Sequence, residues 1–220
     1  MRRVWITRTQ PQADATATRL RAMGLESVVA PVLVSRPVAE VDIDLSGIEA
    51  LAFTSAAAVR AFADRSPERT LPVFAVGAAT AETARGAGFG SILTGGGDVH
   101  ALAATIAEAG PGPVLNPTAR EPAADLAALL AARGISATSI AVYETVPTEA
   151  ATPTDIDAIM VHSPRAARIV AGLISPERAP ALSAFAISEA AAAPLRTLAF
   201  ANIATAPFPD EASLLRLLQG

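Results

Sequence analysis

At 220 residues the chain is too long for one minimal domain and comfortable for two of roughly 100–150 residues each. Hydrophobic residues make up 51% and charged residues 17%, the reverse of the balance that keeps a chain disordered. The formal net charge is −4, every cation is Arg and there is no Cys, which excludes disulfides, thiolate metal sites, Schiff-base and P-loop lysines and a general nucleic-acid-binding surface.

Arg3–Thr7 reads as a strand and Gln12–Met23 as a helix stopped by Gly24. Val28–Leu33 and Ala50–Thr54 are strands, Ala57–Ala63 a helix, Val73–Val76 a strand and Ala79–Ala87 a helix. Ser91–Leu93 is a strand and Val99–Glu108 a helix. The second half gives strands at Val114–Asn116, Thr138–Val142, Ala158–Val161, Ala184–Ile187 and Asn202–Ala204. Its helices are Ala124–Arg133, Ala166–Leu173, Ala190–Thr197 and Glu211–Leu218. Two polar, Pro-containing stretches, Ser35–Ser46 and Glu144–Thr154, read as linkers. No apolar run approaches the ~20 residues of a membrane helix. The apolar stretch Val4–Ile6 is too short for a signal-peptide core, so a cytoplasmic protein with no membrane partner is expected.

The halves are alike. Pro11 aligns with Pro122, Asp14 with Asp125, Gly24 with Gly134, Pro37 with Pro147, Ser55 with Ser163, Phe74 with Phe185 and Phe89 with Phe200. Every offset lies between 108 and 112 residues, and anchors of that kind do not arise from Ala-rich helices alone. Short apolar strands alternating with amphipathic helices imply parallel sheets covered on both faces. The expected fold class is therefore α/β, with two similar flavodoxin-like parallel-sheet domains of strand order 2-1-3-4-5 arising from an internal duplication. The repeat does not decide whether the chain crosses between domains at the linkers.

In parallel sheets, ligands bind beyond the carboxyl ends of the strands. The residues expected there include Arg8, Ser55, Gly77 and Thr80 in the first half, and His162, Ser163, Arg165 and Ser188 in the second. Small hydroxyl residues and Gly at helix N-termini leave backbone N–H groups open to anions, although helix capping by Ser and Thr explains any one loop equally. Gly95-Gly96-Gly97-Asp98 has no following Lys and reads as a turn capped by Asp98. His100 reads as a surface residue, and His162 either faces a ligand or is a satisfied structural histidine. Two histidines so far apart make no metal site, and none is expected. Tyr143 is the only Tyr in the chain and ends a strand just before a linker. Its phenol can donate to a ligand, or it can stand half-buried with its hydroxyl in water.

The chain resembles the uroporphyrinogen-III synthase family. The resemblance is carried by VWITRTQPQADATATRLRAMG, LAFTSAAAVRAF, VFAVGAATAETARGAGF, AVYETVP, IMVHSPRAARIV and FAISEAAAAPL, in that order over nearly the whole length. It implies a cofactor-free lyase that cyclises hydroxymethylbilane with loss of water and inversion of the last pyrrole ring. It also implies a discontinuous first domain (1–36 and 148–220), a second of residues 37–147, and a two-stranded hinge. Tyr143 matches the family's proton donor. Arg8, Ser55, Gly77, Thr80, Ser163, Arg165 and Ser188 fall at substrate-binding positions, while Glu189 departs from the family's pattern and is an awkward neighbour for a polyanion unless it points outward. The resemblance further implies a monomer, with the preceding pathway enzyme as a possible partner. The competing expectation is a non-enzymatic two-lobed hinge protein that binds a small anion.

Overall fold

Ala50–Phe53 and Ala158–Val161 are strands of four residues with every side chain buried. A strand covered on both faces has to lie inside a parallel sheet flanked by helices, and that requirement organises the computed structural model. The structure describes residues 3–149 and 151–219. Its strands are β1 (Arg3–Ile6), β2 (Glu26–Val29), β3 (Leu33–Pro37), β4 (Ala50–Phe53), β5 (Val73–Ala75), β6 (Ile92–Thr94), β7 (Val114–Ala119), β8 (Ala137–Pro147), β9 (Ala158–Val161), β10 (Ser183–Ala186) and β11 (Asn202–Thr205). The helices are α1 (Gln12–Ala22), α2 (Ala56–Ala63), α3 (Ala78–Gly86), α4 (Val99–Ala109), α5 (Leu126–Ala131), α6 (Pro164–Leu173), α7 (Glu189–Ala192) and α8 (Glu211–Arg216).

The chain forms two compact units, Met1–Val34 with Val146–Gly220, and Ser35–Thr145. The first holds a sheet of order β11-β10-β9-β1-β2, parallel throughout. Counted along the chain this is 2-1-3-4-5. The second sheet has the order β3-β8-β7-β4-β5-β6, and the pairs from β8 to β6 are parallel. Counted from β7, its five parallel strands again run 2-1-3-4-5. Each sheet thus joins strands from both halves of the sequence.

Side chains alternate across each sheet as the pleat requires. In the first unit Val4, Ile6, Ala158, Met160 and Phe185 face α1 and α8, while Trp5, Ile159, Val161, Ala184 and Ala186 face α6 and α7. Trp5 also donates its indole N–H to the carbonyl of Ala30 at 2.7 Å, so the largest core side chain leaves no polar atom unpaired. In the second unit Leu51, Phe53 and Val73 pack with Phe62 and Phe89, while Ala50, Ala52 and Phe74 pack with Leu102, Ile106, Leu126 and Leu130. Each large aliphatic or aromatic side chain buried in this way contributes ~1.5–3 kcal/mol. Gly24 and Gly134 stand just past α1 and α5 at φ 74° and 75°, a left-handed turn that a residue with a Cβ rarely adopts.

Several elements differ from the expected ones. The strand expected at Val28–Leu33 is broken around Pro31 into β2 and β3. The carbonyls of Pro31 and Val32 instead accept from the Thr148 hydroxyl and amide, at 2.6 and 3.1 Å. The expected linkers are partly ordered as the neighbouring strands β3 and β8, pinned by Arg36 Nε to Glu144 Oε1 at 2.9 Å and by a 3.4 Å contact between the Ser35 and Thr145 hydroxyls. β7 runs past Pro117 to Ala119. Its ladder to β4 ends at Leu51↔Leu115, and buried Asn116 donates its Nδ2 to the Ala52 carbonyl at 2.7 Å in place of a backbone bond. The helix expected over Ala190–Thr197 is only α7, followed by a 3-10 turn at Ala193–Thr197, because Pro194 has no N–H to continue an α-helix. α5 is shorter than expected, starting after Asp125, whose carboxylate accepts the Ala128 N–H at 3.0 Å.

A fragment of residues 35–145 is expected to unfold cooperatively by itself in urea. A 1–110 fragment is not, since β4 would lose its neighbour β7. A cooperative transition in the 1–110 fragment, followed by circular dichroism, would contradict this organisation.

Candidate functional site

Sheets buried on both faces leave only the strand ends for polar chemistry. In the second unit the carboxyl ends of β4 and β5 carry Ser55 and Gly77, whereas Tyr143, expected to end its strand, lies within β8 at the point where the ladder to β7 stops, because the strand runs on to Pro147 beside β3. Ser55 is the N-cap of α2, extended at φ −156° and ψ 150°, and its Oγ accepts the Ala58 N–H at 3.1 Å. Gly77 caps α3 without a side chain, and a Cβ there would stand 3.6 Å from the Cα of Gly97. Thr80 lies within α3 and is buried. Asp98 caps α4 by accepting the His100 and Ala101 amides at 2.8 and 2.9 Å, as the sequence suggests.

Tyr143 is turned by an irregularity in its own strand. β7 and β8 pair residue for residue up to Thr118↔Ala141, and the next pair is Ala119↔Tyr143. Val142 is the extra residue of a bulge. In a regular strand Val142 and Tyr143 would point to opposite faces, but here both join the cluster around Phe53 and Phe62. The phenol oxygen therefore reaches the Ser55 hydroxyl at 3.1 Å, across 88 residues of sequence.

In the first unit the carboxyl ends of β9 and β10 carry Ser163 and Ser188. They cap α6 and α7 by accepting the Ala166 and Ala191 amides at 3.1 and 3.3 Å. Both backbones are extended, with φ near that of Ser55. Each Oγ accepts one amide and keeps its own hydrogen for an anionic or hydroxylic ligand. Arg165 follows in the first turn of α6 and is half-buried. Glu189 does point outward, 69% exposed, and is paired with Arg196 at 2.6 Å.

Arg8 is committed within its own unit. Its Nη1 meets Glu211 Oε2 at 2.7 Å, and the same carboxylate accepts from the Thr16 hydroxyl and contacts His162 Nε2 at 3.0 Å. Arg19 approaches it at 3.7 Å. His162 is thus a structural partner of Glu211, while its Nδ1 is buried with no hydrogen-bond partner. Burial alone would raise the pKa of Glu211. Hydrogen bonds with His162 and Thr16, together with electrostatic attraction to His162 and Arg8, outweigh it and take the group from an ordinary 4.5 to about 2. Burial in turn pushes the Arg8 guanidinium down, an effect that Glu211 only partly offsets. The cluster therefore costs desolvation on one side while it stabilises the other.

Sequence reasoning did not single out Glu211 or Thr16. Glu211 directly follows the cap Asp210 and reads as an ordinary first-turn carboxylate; only the fold brings the start of α8 beside α1 and the end of β9.

A carboxylate with a depressed folded-state pKa stabilises the fold above its unfolded value and loses that contribution as pH falls through the folded value. Glu211→Gln is accordingly expected to lower stability by about 1–3 kcal/mol near neutral pH. The gap from the parent should close between pH 4.5 and about 2. Urea titrations across that range, with a gap that stayed constant, would remove the charge from the account.

Residues 14–216 match the family described as "Uroporphyrinogen-III synthase HemD". Among solved structures, the uroporphyrinogen-III synthetase of Helicobacter pylori superposes with a TM-score of 0.67 at 17% identity, over 100% of this chain and 99% of that one. A mutant uroporphyrinogen III synthase from the extreme thermophile Thermus thermophilus gives a TM-score of 0.54, also at 17% identity, over 100% and 98%. At such identities these likenesses establish the α/β fold with parallel sheets. No curated protein sequence matches the chain. Among the described residues, no helix is long and apolar enough to cross a membrane. The family match spans nearly the whole chain, and the chain belongs to the uroporphyrinogen-III synthase family, enzymes of tetrapyrrole biosynthesis.

Proposed function

We propose that this chain closes hydroxymethylbilane to uroporphyrinogen III, with Tyr143 as the proton donor to the departing hydroxyl. The family match over residues 14–216 carries this reading. The phenol proton passes to the terminal hydroxyl, the C–O bond breaks and water leaves, giving a conjugated azafulvene cation. The carbon that lost the hydroxyl bonds to the substituted α-carbon of the last ring, giving a spiro intermediate. The bond from this centre to its original bridge carbon breaks, and the freed bridge carbon bonds to the ring's other α-carbon, which inverts the ring. The proton released as the ring re-aromatises balances the one the phenol gave. An unguided route leads to another isomer, so the protein acts chiefly by holding geometry.

The substrate is a polyanion, and the carboxyl edge of each sheet, taken by itself, offers what an anion needs without Lys. The continuous unit has the backbone amides at the Ser55 and Gly77 corners and the Thr80 hydroxyl; the other has the Ser163 and Ser188 hydroxyls and the Arg165 cation. Arg8 belongs to the same set, but its charge is already met by Glu211 at 2.7 Å, so its contribution is directional more than coulombic. The common 2-1-3-4-5 order supports an origin by internal duplication. β3 and β8, which carry the chain from one unit to the other, are the proposed hinge. A monomer in the cytoplasm, receiving its unstable substrate from the enzyme that makes it, fits the same reading.

Freshly prepared hydroxymethylbilane and separation of the product isomers test the activity. The inverted isomer should dominate, whereas a protein that only bound an anion would leave the isomer mixture found in buffer. Tyr143→Phe keeps the ring and removes the donor, and the rate should fall by about 10²–10⁴, towards the smaller end because water can substitute. The residual product should remain the inverted isomer. Full activity of this variant would exclude the phenol as the acid.

A further inference from the structure

The Ser55–Tyr143 contact has a direction. The Ser55 Oγ already accepts the Ala58 N–H at 3.1 Å, and the phenol oxygen of Tyr143 lies 3.1 Å away. A serine hydroxyl has one hydrogen to give. If Tyr143 donated to Ser55, the phenol proton would be spent inside the protein and the serine hydrogen would be left to find another acceptor. If Ser55 donates, both groups are used and the phenol proton is free.

We propose that Ser55 is a positioning residue for Tyr143: it donates its hydroxyl hydrogen to the phenol oxygen and so holds the phenol proton aimed away from the protein. This rests on the reading of Tyr143 as the proton donor. Ser55 is itself a fixed point. It follows Phe53 of β4, which is 0% exposed, and starts α2, whose Ala58, Val59 and Phe62 are buried. The bulge at Val142 places the tyrosine ring against the same cluster, leaving the O–H rotor as the main freedom of that side chain. One donated hydrogen bond removes it. As the proton leaves, negative charge grows on an oxygen that already accepts a hydrogen bond. That bond comes from a hydroxyl polarised by the amide end of α2. Ser163 caps α6 with the same backbone geometry, so capping alone does not call for a tyrosine.

The substitution that tests this must not melt the helix start. Gly is well tolerated at an N-cap, so Ser55→Gly removes the donor and largely keeps the cap. With hydroxymethylbilane, Ser55→Gly should lower kcat by on the order of tenfold to a hundredfold and leave KM near the parent value. Ser55→Thr, which retains both cap and donor, should restore most of the rate. The double variant with Tyr143→Phe should be as slow as Tyr143→Phe alone, because Ser55 acts through the phenol. Tyr143 is the only tyrosine in the chain, so the tyrosine Raman doublet of the resting protein reports this one hydroxyl. It should indicate an accepting oxygen in the parent and lose that character in Ser55→Gly.

A raised KM with kcat intact would make Ser55 a direct substrate contact and overturn the proposal. So would additive effects in the double variant, or an unchanged doublet. If Tyr143→Phe proves fully active, the acid role falls and the positioning role with it. The Raman comparison would still show separately whether Ser55 donates to the phenol.

Discussion

A strand whose two faces are both buried has no side of its own to offer a ligand. β4 and β9 are such strands, and their neighbours in each sheet are nearly so. Once Val4–Ile6, Leu51–Phe53 and Ala158–Val161 have been committed to the core, the chain can do chemistry only where the strands end. The capping residues of the candidate site obey this. Ser55, Gly77, Ser163 and Ser188 are all first-cap residues of the helices that follow β4, β5, β9 and β10. Their extended backbones are what a chain needs to leave a strand and enter a helix, and the amides exposed at that corner are a by-product of the turn. Binding of an anion by such a protein requires little beyond small residues at the corner.

The edges of the two sheets use the same corner differently. In the unit built from both ends of the chain, a carboxylate is drawn inside. Glu211 collects Arg8, Thr16 and His162, and so ties the loop after β1 and the end of β9 to the start of α8. In the continuous unit the corresponding corner carries two hydroxyls, and the task of placing them falls to a bulge. On the function proposed above, a neutral pair suits proton donation, because the donor carries no positive charge to repel a cationic intermediate. A charged cluster suits anchoring, where rigidity matters more than reactivity.

Much of this was legible in the residues. Apolar runs of three or four residues located most strands within a residue or two, and Gly24 marked where α1 stops. Matching Ser55 with Ser163 picked out two caps of the same geometry. Most of the misses share a cause. Pro31 and Pro117 acted against local expectation because what replaced the missing bonds came from far away: Thr148 met the carbonyls of Pro31 and Val32, and the Asn116 side chain bridged to β4; Pro194 acted locally, turning the end of α7 into a 3-10 turn. Asn116 looked like the end of a strand, yet it substitutes for a rung of the ladder. Glu211 looked like surface, and its partners are about 50 to 200 residues distant. The pairing of Tyr143 with Ser55 depended on one extra residue in β8, and no periodicity in the sequence signals that phase change.

The interleaving of strands also has a consequence for the chain while it is being made. Everything the continuous unit needs has been synthesised by residue 145, whereas β1 must wait for β9, its neighbour on one side, until residue 161. At usual rates of synthesis that interval is on the order of ten seconds or more. Throughout it Val4, Trp5 and Ile6 form an apolar strand with one open edge, and the Trp5 face stays uncovered until α6 and α7 follow. β1 is therefore made long before it can be completed. During translation it is the part of its unit most in need of a chaperone.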